Sequence, residues 1–489
     1  MSLIAALNTA RSSLAATAKQ LAVSGRNIAG ANDPSYTRKI TSVSTSGEGG
    51  DQIVSITRAA DAGLLAHALS SKSAGSAQQA ILDGLNQLQD TVGDTDSTTS
   101  PAATIAALSS ALQAEANSPS DQSLAQATVT AAQAAVSSLA SATATVTSVR
   151  SGADAAMATS VTDVNNLLGQ FADLNTQIVR GTLAGDDVSD LMDQRDAVLG
   201  NLSDELGVTT VQRANNDEAI YTDGGVPLFD KTARTVTFKP STALPAGTTG
   251  NAVYIDGVPV TGANATMPLK SGKLAGLAEL RDGVTVTYQT QLDEMARGLV
   301  ASLAESDQSG GGGPDLAGLV TWSGGPTVPP DGTAVPGLAG MLQVNPAVDP
   351  AQGGSLTRIR DGGINGLDYQ YNTTGASSYA DRLNDMLTDL GQTRNFDPAS
   401  GLQSGVSLGD YGTASTSWLE NLRQTTSSAV DYQTTLQSQA TDALSNASGV
   451  NVDDEYTKQL QLEQSYQASS KLIGIVQQMF DTLLAAMGP

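Results

Sequence analysis

Apolar and small residues recur at alternating steps of four and three along the first 30 residues of the chain. The positions are Leu3, Leu7, Ala10, Leu14, Thr17, Leu21, Ser24 and Ile28. This is the spacing of a coiled-coil heptad, diluted by the polar side chains of Thr17 and Ser24. Asn32, Asp33 and Pro34 follow, and the residue before a proline disfavours helical dihedrals. The pattern predicts an amphipathic helix that ends before Pro34.

The last 40 residues repeat this pattern. The positions are Leu462, Tyr466, Ser469, Ile473, Val476, Phe480, Leu483 and Met487. Gly449 marks a turn ahead of this second helix, and Asp453, Asp454 and Glu455 lie in its first turn. Carboxylates there interact favourably with the positive end of the helix dipole. We therefore expect a second amphipathic helix with an acidic start.

The charges of the two ends are complementary. Five basic residues and one acidic residue give residues 1–39 a net charge of +4. Two basic and five acidic residues give residues 452–489 a net charge of −3. Opposite charges favour partner choice between helices more than they add stability. The two ends are therefore predicted to pair as a coiled coil.

Between the ends, helical patterns enclose a strand-rich segment. From about Leu64 to Arg180 the chain is rich in Ala, Ser, Thr and Gln at helical spacing. Ser118, Pro119 and Asp121 predict a helix start inside this stretch, with Ser118 as the N-cap. Further helices are expected at about Asp187–Leu206, Gly276–Glu305, near Tyr379 and at Ser415–Ser445.

β-Branched segments separated by Gly, Asn, Asp and Pro occupy residues 207–270, and residues 41–60 also alternate like a strand. Residues 306–375 are rich in Gly and Pro. The predicted fold is mainly α with a β insertion and nested, discontinuous domains. These are a terminal coiled-coil assembly domain (1–60 with 446–489), an elongated helical bundle (61–206 with 271–305 and 376–445), a small inserted β domain (207–270), and Gly/Pro-rich loops with short strands (306–375).

Composition narrows the possible functions. The 489 residues carry a formal net charge of −24, which disfavours binding to nucleic acid or to anionic membranes. The absence of cysteine excludes disulfides and thiolate metal sites. The N-terminus lacks the apolar core of a cleaved secretory signal, and no apolar stretch is long enough to span a membrane.

Candidate catalytic chemistry is sparse. His67 is the single histidine, so a multi-histidine metal site is excluded and a structural or surface role is the better interpretation. The Ser271-Gly272-Lys273 segment lacks the surrounding residues of a phosphate-binding loop. Asp193 and Asp196 flank Arg195, which we interpret as a local ion pair. We predict no cofactor, no metal and no enzymatic activity.

Three groups of motifs resemble bacterial flagellar rod, hook and hook-associated proteins. The stretch from Asn27 to Arg38 is similar to their N-terminal motif N-I-A-N-A-N-T-P-G-Y-S-R, through Asn27, Asn32, Pro34, Tyr36 and Arg38. Near the C-terminus, G-V-N-V-D-D-E, L-E-Q-S-Y-Q-A-S and M-F-D-T-L-L resemble the corresponding segments of the same proteins. These ends alone do not separate the branches of the group.

The middle of the chain resembles one branch, the hook-associated proteins of the hook–filament junction. The run Asp193-Gln194-Arg195-Asp196, followed by Leu202-Ser203, is similar to the L-x-D-Q-R-D…L-S segment of that family. Gly272-Lys273-Leu274-Ala275-Gly276-Leu277 followed by Arg281-Asp282 resembles its G-K-L-x-G-L…R-D segment.

The resemblance implies a structural role outside the cell. Such proteins leave through the flagellar type III export channel, without a cleaved signal, and form a homo-oligomeric ring at the distal end of the hook. Their terminal helices pair inside the polymer, and an export chaperone covers the C-terminal helix beforehand. The implied partners are hook protein, the second hook-associated protein and, through it, flagellin. The implied location is the secreted, extracellular flagellum.

The residues predicted to pack the terminal helices or neighbouring subunits are Leu3, Leu7, Leu14, Leu21, Ile28, Leu462, Tyr466, Ile473, Val476, Phe480 and Leu483. Because Thr, Ser and Ala dilute both heptad patterns, we expect the ends to become ordered only on assembly. Two alternatives stay open. The chain could be another axial protein, such as hook protein or the second junction protein, or a secreted enzyme carrying flagellar ends.

Overall fold

The computed structural model describes residues 3–45, 51–93, 97–486 and 488. Met487, the last position of the predicted C-terminal heptad pattern, lies outside the described residues. The helices are α1 (Leu3–Gly30), α2 (Ala62–Gln89), α3 (Pro101–Asn117), α4 (Gln122–Ala184), α5 (Ser189–Glu205), α6 (Lys273–Glu279), α7 (Thr285–Ser302), α8 (Thr357–Asp361), α9 (Asp381–Gly391), α10 (Leu408–Ser448) and α11 (Val452–Ala486).

The described strands are short and pair only in antiparallel fashion. They are β1 (Lys39–Thr45), β2 (Asp51–Arg58), β3 (Val208–Gln212), β4 (Glu218–Thr222), β5 (Pro227–Phe229), β6 (Val236–Thr237), β7 (Tyr254–Ile255), β8 (Val258–Pro259), β9 (Val320–Trp322) and β10 (Leu342–Val344). The prediction of a mainly helical chain with a small β insertion is confirmed.

The 63-residue helix α4 is the backbone of the molecule. Its buried face alternates small residues with larger apolar ones, so neighbouring helices can approach closely. α3 packs against its first half, α5 against its last turns, and α6 and α7 against its middle. α2 and α10 run antiparallel beside this group, since Gly75 in α2 lies next to Gln433 and Gln437 in α10.

The predicted start of a helix at Ser118 is wrong. Ser118 is the C-cap of α3, and its backbone N–H donates to the carbonyl of Glu115. The N-cap of α4 is Asp121, whose carboxylate accepts from the backbone N–H of Ser123 at 2.8 Å. A charged carboxylate is the stronger cap because it also interacts with the helix dipole. Pro119 therefore lies in the turn between the two helices.

The β insertion consists of two three-stranded sheets, ordered β3-β4-β5 and β6-β7-β8. It is tied to α4 through aromatic packing, because the rings of Phe171 and Phe229 meet edge to face at 5.1 Å. Asp256 and Gly257 connect β7 to β8 with positive φ at both positions, the geometry of a tight type I′ hairpin.

α6 and α7 are joined by a π-helical turn over Leu280–Val284. This turn carries Arg281 inward, where its guanidinium pairs with Asp154 on α4 and with Asp282. The G-K-L-A-G-L segment brings α6 close to α2, because a Cβ at Gly276 would meet the backbone oxygen of Ala77 at 2.3 Å. The segment therefore positions Arg281 through close helix packing.

Both chain ends fold back on one another. α1 packs along α11, and the β1–β2 hairpin packs against α1. α1 and α11 run antiparallel, since Ser24 and Asn27 near the end of α1 contact Glu455 in the first turn of α11. We call α1, β1, β2 and α11 the terminal arm, and the remaining elements the body.

One buried carboxylate in the body has no compensating partner. Glu115, at the end of α3, is 1% exposed, and neither of its carboxylate oxygens has a hydrogen-bond partner among the described residues. The nearby Thr128 hydroxyl donates to the carbonyl of Leu124 instead. Burial raises the pKa of Glu115 above its usual 4.5, and the positive charge of Arg360 offsets this only in part.

We predict that Glu115→Gln raises the free energy of unfolding at pH 8 by about 1 kcal/mol, because a neutral amide costs less to bury than a carboxylate. A carboxyl group whose pKa is raised on folding stabilises the folded state fully below its unfolded pKa. That contribution is lost as the pH rises through the folded pKa. The gain should therefore grow from pH 5 to pH 8 in chemical denaturation.

The matched control is Glu279→Gln, at an exposed position of α6. It should leave the free energy of unfolding unchanged at both pH values. A gain for Glu115→Gln that does not depend on pH would contradict the assignment to a buried charge.

Candidate assembly site: the terminal arm and its polar root

The predicted positions of the first heptad pattern lie on the face of α1 that meets α11. Leu3, Leu7, Leu14, Leu21 and Ile28 are all half-buried. The small members of the pattern, Ala10, Thr17 and Ser24, are fully buried between them. Small residues at the centre of the contact let the two helix backbones approach closely, while the leucines cover its borders.

In α11 the same pattern is only partly covered. Ser469 and Val476 are buried, and Leu462, Ile473 and Phe480 are half-buried. Tyr466 and Leu483 are 40% and 50% exposed, so the structure does not bring them into the contact between α1 and α11. The contact in the single chain therefore uses five of the seven predicted positions of α11 from Leu462 to Leu483.

Asn27 joins the two chain ends at the base of the arm. Its side-chain N–H groups donate to the backbone carbonyl of Lys39 and to Oε1 of Glu455, both at 3.0 Å. Its side-chain oxygen accepts from the backbone N–H of Lys39 and from the hydroxyl of Tyr36, both at 2.9 Å. Asn27 is fully buried, and all its hydrogen-bonding capacity is used.

Glu455 supplies the other half of this connection. Its second carboxylate oxygen accepts from the hydroxyl of Ser24 at 2.7 Å. The prediction that Glu455 serves only as an acidic residue at a helix start was incomplete, because its side chain is 3% exposed and bridges α11 to α1. We call Ser24, Asn27, Tyr36 and Glu455, with the backbone of Lys39, the arm root.

Tyr36 closes the arm root from the side. Burial raises the pKa of Tyr36 to about 12; the carboxylates of Asp190, Asp193 and Glu455 add to this rise, and Arg26 opposes it. The phenol therefore remains a hydrogen-bond donor to Asn27 at any physiological pH. The ammonium group of Lys39 lies 4.5 Å from the centre of the Tyr36 ring, within range of a cation–π interaction.

The other members of the N-terminal motif shape the chain around the root. Asn32 and Pro34 are exposed in the turn that follows α1. Arg38 acts through its backbone: its N–H donates to the carbonyl of Ser448 at 2.7 Å, and its carbonyl accepts from the N–H of Ala59 at 2.8 Å. Arg38 thus connects both chain segments that leave the arm.

The aspartates of the D-Q-R-D segment face the arm. Asp193 is 6% exposed and accepts from Lys39, from the backbone N–H of Thr37 and from Arg58, the last at 2.9 Å. Asp196 pairs with the same Arg58 guanidinium at 2.7 Å. Gln194, between them, is exposed.

The Arg58 pair is held in its charged form. Burial on its own would lower the pKa of Arg58, but the charges and hydrogen bonds of Asp196 and Asp193 outweigh it, and the net shift is upward. Burial acts in the opposite sense on Asp196 and raises the pKa of that carboxyl group. We take the pair as ionised at neutral pH because two aspartates contact one guanidinium that cannot lose its proton.

Arg195 points the other way, into the body. Its guanidinium pairs with Glu218 of β4 at 3.0 Å and donates to the side chain of Asn175 and the carbonyl of Asn216 at 2.8 and 2.7 Å. The interpretation of a local ion pair with the flanking aspartates was therefore wrong. In a helix, residues one apart face different directions, so Arg195 holds the β insertion while its neighbours hold the arm.

Sequence reasoning missed the roles of Lys39 and Arg58. Both are basic residues at the ends of short strands in a strongly acidic chain, and this contrast of charge is the feature that could have singled them out. Each is nearly fully buried, with the Lys39 and Arg58 side chains 0% and 6% exposed. Cations at that depth require carboxylate partners.

The described residues offer little for catalysis. His67 is exposed on α2, and within those residues no group of three or more His, Asp or Glu side chains is arranged to hold a metal ion. None of the described helices combines the length and apolarity needed to cross a membrane. The most elaborate polar arrangement is the one that joins the two ends.

Comparison with known proteins agrees with this emphasis on the ends and the central helices. Residues 85–318 match the family model described as Flagellar hook-associated protein FlgK helical domain. Residues 443–486 match the model described as Flagellar basal body rod FlgEFG protein C-terminal. The first match covers much of the helical body, and the second covers α11 and the turn before it.

Two curated relatives carry the same name. The chain is 22% identical over 529 residues to flagellar hook-associated protein 1 of Bacillus subtilis strain 168, covering 99% of this chain and 98% of the relative. It is 26% identical over 313 residues to the protein of that name from Escherichia coli strain K12, covering 61% of this chain and 54% of the relative.

A solved structure has the same fold. The flagellar hook junction protein FlgK from Burkholderia pseudomallei superimposes with a TM-score of 0.55 and 17% sequence identity, covering 77% of this chain and 99% of the other. The likeness supports the fold described above.

These matches first define the class: the chain is a structural protein of the bacterial flagellum, and the prediction that it is not an enzyme is confirmed by its relatives. Within that class, the predicted resemblance to flagellar hook-associated protein 1 is confirmed over nearly the whole chain.

We predict that Asn27→Asp detaches α11 from α1 at the arm root. The change removes both side-chain donors and places a second carboxylate beside Glu455. An uncompensated buried charge of this kind should cost at least about 3 kcal/mol. Amide hydrogen exchange of residues 20–30 and 452–460 should become at least tenfold faster.

The control is Asn32→Asp, the same substitution in the same motif at an exposed position. It should leave exchange at the root unchanged. Equal protection in Asn27→Asp and the unmodified chain would show that the root does not depend on this amide.

Proposed function

We propose that this chain is the subunit of the junction between flagellar hook and filament. The protein forms a homo-oligomeric ring at the distal end of the hook, and the second hook-associated protein and then the flagellin filament build on that ring. The single observation that carries the proposal is the terminal arm, which has a specific polar root but presents apolar side chains without an intramolecular cover.

The exposed side chains form a continuous face on α11. Leu472, Ile475, Met479 and Leu483 are 50–54% exposed and lie at helical spacing. They occupy a face about 90° around the helix from the contact with α1. We call these four residues the arm stripe. Apolar side chains on one face of an exposed helix are typical of a surface that is buried in an assembly.

The identity of the partner follows from the architecture. Because α1 and α11 already cover each other on one side, a neighbouring copy can offer the same helices in the same register. Tyr466, which is exposed in the single chain, borders this surface and remains a predicted packing residue between subunits. Repetition of the contact around a closed ring buries every stripe without a different partner.

The domain division proposed from the sequence fits this role. Residues 1–60 with 446–489 form the assembly domain inside the polymer, and the helical bundle, the β insertion and the loops of 306–375 project outward. The outward parts carry most of the net charge of −24. An acidic exterior keeps separate filaments apart and favours solubility.

Export places a further demand on the ends. A chain that leaves through the type III channel passes in an unfolded state, so its ends cannot be strongly stable alone. The small and polar residues in the α1–α11 contact limit the apolar area that the contact buries. An export chaperone that covers the arm stripe would keep α11 from associating before it reaches the growing end.

We predict that the double substitution Ile475→Ser/Met479→Ser abolishes assembly without unfolding the monomer. Both side chains are about half exposed, so the free energy of unfolding should change by less than about 0.5 kcal/mol. Complementation of a deletion strain should fall to the non-motile level. Swimming on soft agar and electron microscopy of detached flagella provide the measurement.

The matched control is Gln477→Ser, an exposed polar position of the same helix outside the arm stripe. It should restore motility as the unmodified chain does. Motility of the double variant at the unmodified level would contradict the assignment of the stripe to assembly.

We predict that deletion of the gene leaves hooks without filaments and releases flagellin into the medium, because the filament lacks its platform. Electron microscopy of the cells and immunoblots of the medium distinguish the alternatives. Loss of hooks as well would favour hook protein. Unchanged filaments would contradict any structural role at the junction.

A further inference from the structure

The carboxylates that meet the arm form a regular row. Asp187, Asp190, Asp193 and Asp196 follow one another at every third residue, from the turn before α5 into its second turn. Residues three apart lie on the same side of a helix. We call these four residues the acidic row.

The row is matched by cations from three elements of the arm. Arg26 on α1 pairs with Asp187 at 2.7 Å and with Asp190 at 3.3 Å. The first residue of β1, Lys39, contacts Asp190 and Asp193. Arg58, the last residue of β2, contacts the remaining two carboxylates listed in the preceding subsection. Every pair has its cation on the arm and its carboxylate on the body.

The chain itself connects arm and body at adjacent points. Residues 59–61 lead from β2 to α2, and residues 449–451 lead from α10 to α11. Both connections meet at Arg38, whose backbone bonds to Ala59 and to Ser448. Two connections at nearly one point act as a pivot, which fixes the position of the arm but not its direction.

The ion pairs supply what the pivot lacks. From Asp190 to Asp196 the row extends roughly 9 Å along α5. Contacts distributed over that length resist rotation about Arg38. The inner pairs are also shielded from solvent, since the side chains of Lys39 and Arg58 are 0% and 6% exposed. Salt screens buried pairs far less than exposed ones.

We propose that the acidic row is an electrostatic latch that locks the terminal arm in one direction relative to the body before assembly. Asp193 is its central positioning residue, since it contacts cations of both strands. The significance of the latch rests on the proposed function: a junction subunit that enters a ring with its arm already directed needs no reorientation there. The latch itself is a property of the free chain.

The absence of cysteine makes the test direct, because two introduced cysteines are the only labelling sites. Spin labels at Ala22→Cys on α1 and Gln177→Cys on α4 occupy exposed positions on either side of the joint. We expect one narrow distance distribution by pulsed electron paramagnetic resonance, unchanged between 0.05 and about 0.5 M salt. Asp193→Asn should at least double its width.

The matched control is Asp204→Asn in the same helix α5. Asp204 pairs with Lys72 at 2.8 Å, but both residues belong to the body. Its distribution should remain narrow. Because Asp193→Asn leaves Lys39 buried without its closest carboxylate, Arg58→Gln is measured in parallel; if circular dichroism shows that Asp193→Asn has lost helix, Arg58→Gln alone decides.

A broad distribution in the unmodified chain, or a narrow one in the deciding variant, would overturn the latch. Either result leaves the proposed function intact, since the measurement uses free monomer and does not involve a ring. Conversely, loss of the junction role in the deletion strain would not alter the distance distribution.

Discussion

The architecture depends on a polar contact between residues more than 400 positions apart. Glu455 enters the first turn of α11 with its carboxylate buried, and Ser24 and Asn27 are the groups that satisfy it. A buried carboxylate without such partners would be costly, so this contact specifies which parts of the two ends meet. The apolar contacts along α1 and α11 are too diluted by small residues to fix that register by themselves. The rest of the arm is built outward from this point.

The same logic of polar specification links the arm to the body. α5 uses alternate faces of one short helix for two tasks: its aspartates hold Lys39 and Arg58, and Arg195 holds Glu218 on the β insertion. Arg281 plays a comparable part at the π-helical turn, where it pairs with Asp154 of the long helix. The apolar core supplies most of the stability of the body, whereas these pairs determine how its parts are directed. A subunit that connects two different polymers needs both properties.

Much of this organisation could be predicted from the sequence, because helical periodicity and turn residues are local properties. The two heptad patterns identified the faces of α1 and α11 that meet. The start of α4 was misplaced because Ser118 and Asp121 are both good caps and only the structure decides between them. The partners of Asp193, Asp196 and Arg195 could not be predicted, since they come from strands over 100 residues away or from the β insertion. Nor could the exposed side of α11 be separated from its covered side by spacing alone, as Tyr466 illustrates.

The central claim is that the two chain ends are joined firmly at the arm root and completed elsewhere only by neighbouring subunits. Residue-resolved hydrogen exchange of the free protein, compared with the same protein in isolated hook–junction assemblies, tests it most directly. The account predicts slow exchange at residues 24–30 and 452–458 in both states, and slow exchange at residues 3–14 and 477–486 only in the assembly. Uniform protection of α1 and α11 to their tips in the free monomer would contradict it.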